Sequence, residues 1–406
     1  MVLYGKIHLF TKYVLYTNRH VIELRRGDTV QINEIIMIVF DKTNEEIKKL
    51  KPVNIMLAGK TGVGKSTLIN NIFRENIAKT GIGAPVTKHI KKLSKQGVPV
   101  NLYDTKGIEL SHESQELALK EILDEINKMN ASLDVEDHVH VIWYIINSLS
   151  NRIEPFEIEW INAFSERVPV VIVLSQCIHD NNSKELESYI DNLNLKIDGL
   201  IRILAEDYNF KGFTIKSFGL KELVSLTYDI LPTEVKRSFN NAQKAYIEKK
   251  VEEAKKWALT YIGSTFMIGF TPIPFADAPI IAASQAGMIA HITSIFGVNI
   301  NKSIITAAVS SLVGISGSTF TGKSIVANLF KLIPGAGTII GGTIQGGTAS
   351  IITTALAFAY INLMKVVAAA EYENRKISTE FMKSFMREDF RKNLKDLFKR
   401  KKKKIK

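Results

Sequence analysis

The sequence predicts a mainly parallel, doubly wound α/β domain followed by a glycine-rich, mainly α-helical domain. Between Val53 and Pro232, short apolar runs alternate with longer stretches of helical periodicity, the rhythm of a parallel sheet covered on both faces. Beyond Trp257 the composition changes. From Ala258 to Met364 the only acidic or basic residues are Asp277, Lys302, Lys323 and Lys331, and thirteen of the 25 glycines fall there. With 406 residues the chain has room for two or three cores, and 46% hydrophobic against 23% charged residues excludes wholesale disorder.

Residues 1–50 read as an N-terminal extension. His8-Leu9-Phe10, Tyr13–Tyr16 and Val21–Leu24 suit short strands, and Asn44–Leu50 suits a brief helix. The α/β domain follows over 51–233. Its expected strands are Val53–Ala58, Val100–Tyr103, Val139–Ile146, Val168–Leu174 and Phe213–Ile215. Its expected helices are Lys65–Phe73, Ser114–Met129, Glu154–Phe164, Lys184–Ala205 and Leu220–Ile230. A charged linking helix is expected over 234–256, a charge-poor helical domain over 257–371, and a basic helix and tail over 372–406.

The single cysteine, Cys177, excludes an internal disulfide and a multi-cysteine zinc site, and favours a reducing, cytoplasmic setting. The formal net charge is +12, and Lys383–Lys406 carries twelve Lys/Arg against three Asp/Glu, so most of the excess lies in one tail. Such a run suits acidic lipid headgroups, RNA or an acidic partner, or is a solvated terminus. Leu332–Met364 has no acidic or basic side chain over 33 residues, longer than the roughly 20 that span a bilayer. Membrane contact is the first expectation for it and a buried soluble helical bundle the second, since its small-residue spacing serves either setting.

One motif carries chemistry. Gly59-Lys60-Thr61-Gly62-Val63-Gly64-Lys65-Ser66 fits G-x-x-x-x-G-K-[ST], directly after an apolar strand and opening a helix whose next residue is Thr67. Glycines let the backbone curl until its N–H groups face phosphate oxygens, and the helix N-terminus adds a favourable field. Lys65 would reach the β- and γ-phosphates and Ser66 would ligate Mg²⁺. About 40 residues on, Asp104-Thr105-Lys106-Gly107 supplies a strand-end carboxylate for the metal and a glycine N–H for the γ-phosphate. Between them Thr87 lies where a loop could bring its hydroxyl to the same metal. A second string, Gly317-Ser318-Thr319-Phe320-Thr321-Gly322-Lys323-Ser324, also fits the pattern but lacks the strand-loop-helix setting and reads as a turn between helices.

With these residues the chain resembles the Era-like branch of the translation-factor-related P-loop GTPases over roughly Val53–Pro232. The resemblance implies a P-loop G domain that binds GTP and GDP with Mg²⁺. Lys65, Thr87 and Gly107 would then serve catalysis, and Ser66, Thr87 and Asp104 the metal. The family's Asn/Thr-Lys-x-Asp base-reading segment corresponds here to Ser175-Gln176-Cys177-Ile178, with Ile178 in the acid's place and Asp180 two residues late. Lys216-Ser217-Phe218-Gly219-Leu220 looks like the family's Ser-Ala-Lys loop, which makes Ser217 a base-side candidate. Ile108 follows Gly107 where many relatives have a water-orienting glutamine. An aliphatic side chain cannot orient water, so slow intrinsic hydrolysis is expected unless a homodimer partner or an activating protein supplies the group. Gly62 replaces the asparagine of potassium-activated relatives, so no potassium dependence is expected.

Phe270–Asp277 with Gln285, followed by Lys331–Gly337, resembles a domain of unknown function that trails the G domain in some such GTPases, covering roughly Trp257–Glu371. The expected function is a GTP-dependent switch coupled to that helical domain, with an anionic membrane among its expected partners. A nucleotide-regulated membrane-remodelling protein is the alternative, and a ribosome- or RNA-associated assembly GTPase ranks below both, since no aromatic-interleaved RNA module accompanies the basic end.

Overall fold

The computed structural model describes residues 12–16, 21–25, 32–105, 112–268, 277–298, 302–313 and 346–405. They form two compact bodies, Lys49–Lys250 on one hand and Met1–Lys48 with Val251–Lys406 on the other. A hairpin of β1 (Lys12–Tyr16) and β2 (Val21–Arg25) and a helix α1 (Ile32–Lys48) come first in the chain.

The α/β body opens with β3 (Val53–Ala58), α2 (Lys65–Ile72), a short α3 (Ile77–Thr80), β4 (Ile82–Pro85), β5 (Ile90–Lys95), β6 (Val98–Thr105) and α4 (His112–Asn130). It continues through β7 (Val141–Asn147), α5 (Pro155–Ser165), β8 (Val170–Ser175), α6 (Asp180–Asn192) and β9 (Gly199–Arg202). A ribbon of β10 (Tyr208–Phe210) and β11 (Phe213–Ile215) follows, then α7 (Leu220–Ile230) and α8 (Thr233–Ala242). The seven-stranded sheet has the order β4-β5-β6-β3-β7-β8-β9, antiparallel at β4 and β5 and parallel from β6 to β9.

The central strands are unbroken apolar runs because both faces are covered. Leu57, Trp143 and Val173 pack on one side with Leu68, Ile72 and Phe239, while Met56, Tyr144 and Ile172 pack on the other with Ile122, Trp160 and Phe164. Phe73 stacks on Trp143 at 6.0 Å between ring centroids, which joins the end of α2 to the middle of the sheet.

Three expectations need correction. The helix expected over Lys184–Ala205 ends at Asn192, and Gly199–Arg202 forms the edge strand β9 instead. Asn194 takes a left-handed backbone (φ 50°) that stops the helix, and Leu200 and Ile201 then face opposite cores, the two-residue period of a strand. The expected strand Phe213–Ile215 is a strand, but it pairs with β10 outside the main sheet. The expected single linking helix is two: α8 packs on β6 and β3, and α9 (Ile247–Ile268) starts after a break at buried Gln243, whose side chain bonds Tyr246 N and O at 2.9 and 3.0 Å. The α/β body therefore runs on to Lys250.

In the other body α1 packs on α10 (Asp277–Phe296) and α11 (Lys302–Val313), so residues 32–48, part of the expected extension, complete a helical bundle. Two long helices, α12 (Gly346–Tyr372) and α13 (Thr379–Ile405), pack on each other and on α10 and α11 respectively. Apolar residues at a four-residue step, Met382, Met386, Phe390 and Leu394, are the buried side of α13. Short side-chain bonds tie the charge-poor helices together: the Gln285 amide donates to Thr353 at 3.1 Å, the Tyr360 and Thr293 hydroxyls meet at 2.7 Å, and Asn362 donates to Asp389 at 2.8 Å. Among the described residues one helical stretch, Ser350–Tyr372, is long and apolar enough to cross a membrane, and 67% of its apolar window is buried within the protein. The second glycine-rich string, Gly317–Ser324, lies outside the described residues.

A buried polar knot sets the register at the amino ends of the strands. The Asn54 backbone N–H donates to His140 Nδ1 at 2.9 Å, His140 Nε2 meets Val135 O at 2.9 Å, and the Asn54 side chain bonds Glu136 O, His138 O and Asn101. Accepting at Nδ1 requires a neutral imidazole, and burial pulls the His140 pKa below its ordinary value despite its carbonyl partner. A base whose folded pKa is depressed contributes stability that is full above its unfolded pKa of about 6.5 and is lost as pH falls from there through the folded value. Urea denaturation followed by tryptophan fluorescence should therefore show a lower midpoint at pH 5.5 than at 7.5. His140→Gln should be less stable at pH 7.5 and lose less between the two.

Candidate functional site

The loop Gly59–Gly64 leaves the buried strand β3 at its carboxyl end and enters α2 at Lys65. Gly59, Gly62 and Gly64 have φ of 136°, 80° and 94°, conformations that side-chain-bearing residues rarely adopt. At Gly59 a Cβ would lie 2.2 Å from the Ile145 carbonyl oxygen, so the loop can pass β7 only without a side chain. At Gly62 a Cβ would meet nothing within 4 Å, so at this position only the backbone conformation, and not crowding, requires glycine. Lys65 curls back over this loop, its Nζ donating to Gly59 O at 2.7 Å and Lys60 O at 3.0 Å. Val63 is buried, and Ser66, in the first turn of α2, is exposed. Thr61 is exposed, and Thr67 accepts the Asn71 amide at its backbone carbonyl.

The loop is braced from β8. Buried Ser175 donates to Val63 O at 2.6 Å and lies 3.2 Å from Ile146 O, and the Gln176 amide reaches Gly62 O at 3.1 Å. Gln176 itself has φ 55°, the backbone kink that turns it from the strand toward the loop. Thus the two residues expected at the base side both hold the phosphate loop. Asp180 is occupied elsewhere: hydrogen bonds from Lys184 at 2.6 Å and Arg202 at 2.8 Å hold its carboxyl below the usual range. Ser217 gives its backbone N–H to Asp207 at 2.8 Å. Between β9 and Ser217 stands the β10–β11 ribbon, so the segment that directly leaves the sheet edge is Ile203-Leu204-Ala205, and Cys177 N bonds Ile203 O at 3.1 Å.

Asp104 ends the neighbouring strand. β6 pairs with β3 in parallel with Asp104 beside Leu57, which places Asp104 at the same carboxyl end of the sheet as Gly59, and its Oδ1 is buried. Gly107 and Ile108 lie outside the described residues. The Thr87 hydroxyl accepts from Ile90 N at 3.1 Å and His89 N at 3.3 Å, and it also hydrogen-bonds Glu121 on α4. Burial opposes charge on Glu121, but the bonds from Thr87 and His89 N–H outweigh it and hold this carboxyl below its ordinary pKa. Here Thr87 belongs to the turn entering β5.

Sequence reasoning missed the partners of Lys60. Its Nζ lies 3.4 Å from Glu157, which is 2% exposed, 3.8 Å from Glu154, and 5.2 Å from the centre of the Phe156 ring. The signal was present as Glu154-Pro155-Phe156-Glu157, a capping pattern with proline at the first helical position, and Glu157 does accept the Glu154 N–H at 2.9 Å.

Two family models match the chain: one described as 50S ribosome-binding GTPase over residues 54–176, and one described as a domain of unknown function, DUF697, over 234–391. The chain carries a P-loop GTPase domain followed by a DUF697 domain. Human septin-4 is 24% identical over 184 residues, 38% of this chain and 38% of the septin. The tRNA modification GTPase MnmE of Janthinobacterium sp. (strain Marseille) is 35% identical over 85 residues, 20% of this chain and 18% of MnmE. The chain thus spans less than two fifths of the length of these curated relatives. A solved structure of a probable GTP-binding protein engB covers 44% of this chain and 97% of that one at 17% identity, with a TM-score of 0.26.

A GTPase domain implies GTP and GDP with Mg²⁺, and the local chemistry suits both. The α2 N-terminus and the Lys65 ammonium present positive potential to phosphates, while exposed Ser66 and the Asp104 carboxylate are oxygen donors of the kind Mg²⁺ takes. The two loop glycines should respond differently to a methyl group. Gly62→Ala should fold and cost about 1–2 kcal/mol for its left-handed backbone. Gly59→Ala should cost more and abolish nucleotide binding because its Cβ meets backbone. Thermal denaturation with titration of a fluorescent GTP analogue checks both.

Proposed function

We propose that the chain is a Mg²⁺-dependent, slowly hydrolysing GTPase switch whose nucleotide state is passed to the helical DUF697 body. The observation that carries this reading is the Lys65-capped glycine loop, clamped between β3, β7 and β8 at the carboxyl end of the strands, where Asp104 also lies. Lys65 and the loop N–H groups would bind the β- and γ-phosphates, and Ser66 and Asp104 would hold the metal, which when bound would neutralise phosphate charge. Thr87 would be a further metal ligand only if its bond to Glu121 were given up, and Gly107 N–H would face the γ-phosphate. Gly59–Thr67 with Ser175 and Gln176 shape the nucleotide site, Ser217 standing further along the base side.

With Asp180 bound by Arg202 and Lys184, and Ile178 in the acid's place, base selection falls to the backbone around Gln176 and Leu204. The slow rate follows from Ile108, which cannot orient a water molecule. Lys65→Ala removes charged hydrogen bonds to phosphate, each worth about 1.5–3 kcal/mol, and should weaken GTP binding roughly ten- to hundredfold. Calorimetry with GTP, XTP and ATP in Mg²⁺ measures this. Indifference of the wild-type chain to all three nucleotides would overturn the switch.

A second reading, peripheral attachment to an anionic membrane on the cytoplasmic side, is favoured by the end of α13. Its buried stripe stops at Leu394, whereas Lys399 and Arg400 are exposed at the start of a six-residue basic run. Each such cation near an anionic surface contributes about 1 kcal/mol. Flotation of the full chain with phosphatidylserine vesicles should fall when residues 399–404 are replaced by Ser. Loss of RNA binding instead, with flotation unchanged, would favour the ribosome- or RNA-associated alternative.

A further inference from the structure

We infer that the β10–β11 ribbon is a self-association surface that docks on the same ribbon of a second copy of this chain. In its antiparallel register Tyr208 lies opposite Ile215, and Phe210 opposite Phe213. Directly opposed residues, and residues two apart on a strand, share a face, so these four side chains form one apolar face. The other face holds Asn209 and Thr214, bonded to each other at 2.6 Å. The apolar face is open: Tyr208 is 39%, Phe210 55%, Phe213 79% and Ile215 38% exposed. Tyr208 stacks on Phe210 at 6.5 Å and the Lys211 ammonium lies 5.4 Å from the Phe210 ring centre, so the partner must meet Lys211 at the rim of this face. A lone two-stranded hairpin is marginal in water, and an exposed aromatic face of this size marks a contact surface.

The ribbon is held in place for such a contact. Leu204 and Phe218 exchange backbone hydrogen bonds at 3.1 and 3.0 Å at its base, and Asp207 accepts from Ser217 N and Lys216 there. Lys211 and Gly212, with φ of 45° and 86°, make the two-residue turn at the tip.

Charge selects the occupant. Residues 206–216 hold two acids and two lysines, so the ribbon as a whole has no net attraction to an anionic lipid surface. Its charges are instead polarised along its length: Lys211 stands at the tip, and Glu206, which makes no ion pair among the described residues, is exposed at the base. Two ribbons packed face to face about a two-fold axis across their length set each Lys211 against the partner copy's base, whereas tip-to-tip packing would oppose two lysines. Self-complementarity of this kind is what an isologous contact requires. Phe and Tyr present about 150–250 Å² each, so at these exposures the face offers on the order of 400 Å² per copy. Two copies bury roughly 800 Å², below the ~1,200 Å² of stable complexes and within the range of a weak, reversible dimer.

Sedimentation velocity of the full chain over on the order of 1–100 µM should show mass rising from monomer toward dimer. Phe210→Ser with Phe213→Ser should remain monomeric throughout, with unchanged circular dichroism, while Phe213→Leu should still associate. Lys211→Glu and Glu206→Lys should each weaken association at least severalfold, and mixing these two variants should restore it, since only the mixed dimer regains both contacts. The inference is overturned if the wild-type chain stays monomeric, if the serine variant dimerises as the wild type does, or if mixing restores nothing. Flotation of the wild type on phosphatidylserine vesicles that disappears with Phe213→Ser would also overturn it, by making lipid the occupant.

Discussion

The approach of Gly59 to the Ile145 carbonyl is the constraint on which the site depends. A loop that must turn its N–H groups outward cannot be held by its own hydrogen bonds, so it is held from outside. β7 presses on it at Gly59, Ser175 at the end of β8 ties down Val63, and Gln176 ties down Gly62. All three contacts come from strands that are apolar on both faces and therefore fixed in depth and register. The precision of a backbone cradle is thus borrowed from the least polar part of the protein.

The same bracing explains an apparent conflict in the sequence. Ser175 and Gln176 occupy a stretch expected to read a base, yet their side chains are spent on the loop, and the nearby acid Asp180 is neutralised by Lys184 and Arg202. The few polar side chains at the end of β8 are thus committed to holding the glycine loop in this arrangement. Thr87 is committed in a comparable way. Its hydroxyl is satisfied by two backbone N–H groups and Glu121, so any other contact it makes must replace those bonds.

The helical body follows different physics. Its helices α10, α11 and α12 have too few charges to define pairs electrostatically and too many small residues to define them by shape alone. Isolated polar bonds such as Gln285 to Thr353 and Asn362 to Asp389 then select which helices meet, because a buried polar group without a partner is costly. Helix α1 adds apolar Ile36, Ile38 and Val39 and a polar contact of Glu46 with His291 Nδ1 at 3.5 Å, which makes a distant piece of sequence part of one core.

Local physics made much of this legible in one dimension. Strands such as Val53–Ala58 and Val170–Ser175 are continuous apolar runs, and the phosphate loop is a short motif whose glycines are required by its own backbone. These follow from the sequence by itself, because their causes lie within a few residues. The edge strand Gly199–Arg202, the merging of residues 32–48 with helices beyond Val251, and the pairing of Lys60 with Glu157 were decided only by tertiary structure. In each case the deciding partner is far away in sequence: the β8 edge for one, the faces of α10 and α11 for another, a buried carboxylate 97 positions on for the third. Periodicity records which face of an element is apolar; it does not record what covers that face, and that choice is made when the whole chain competes for the same buried space.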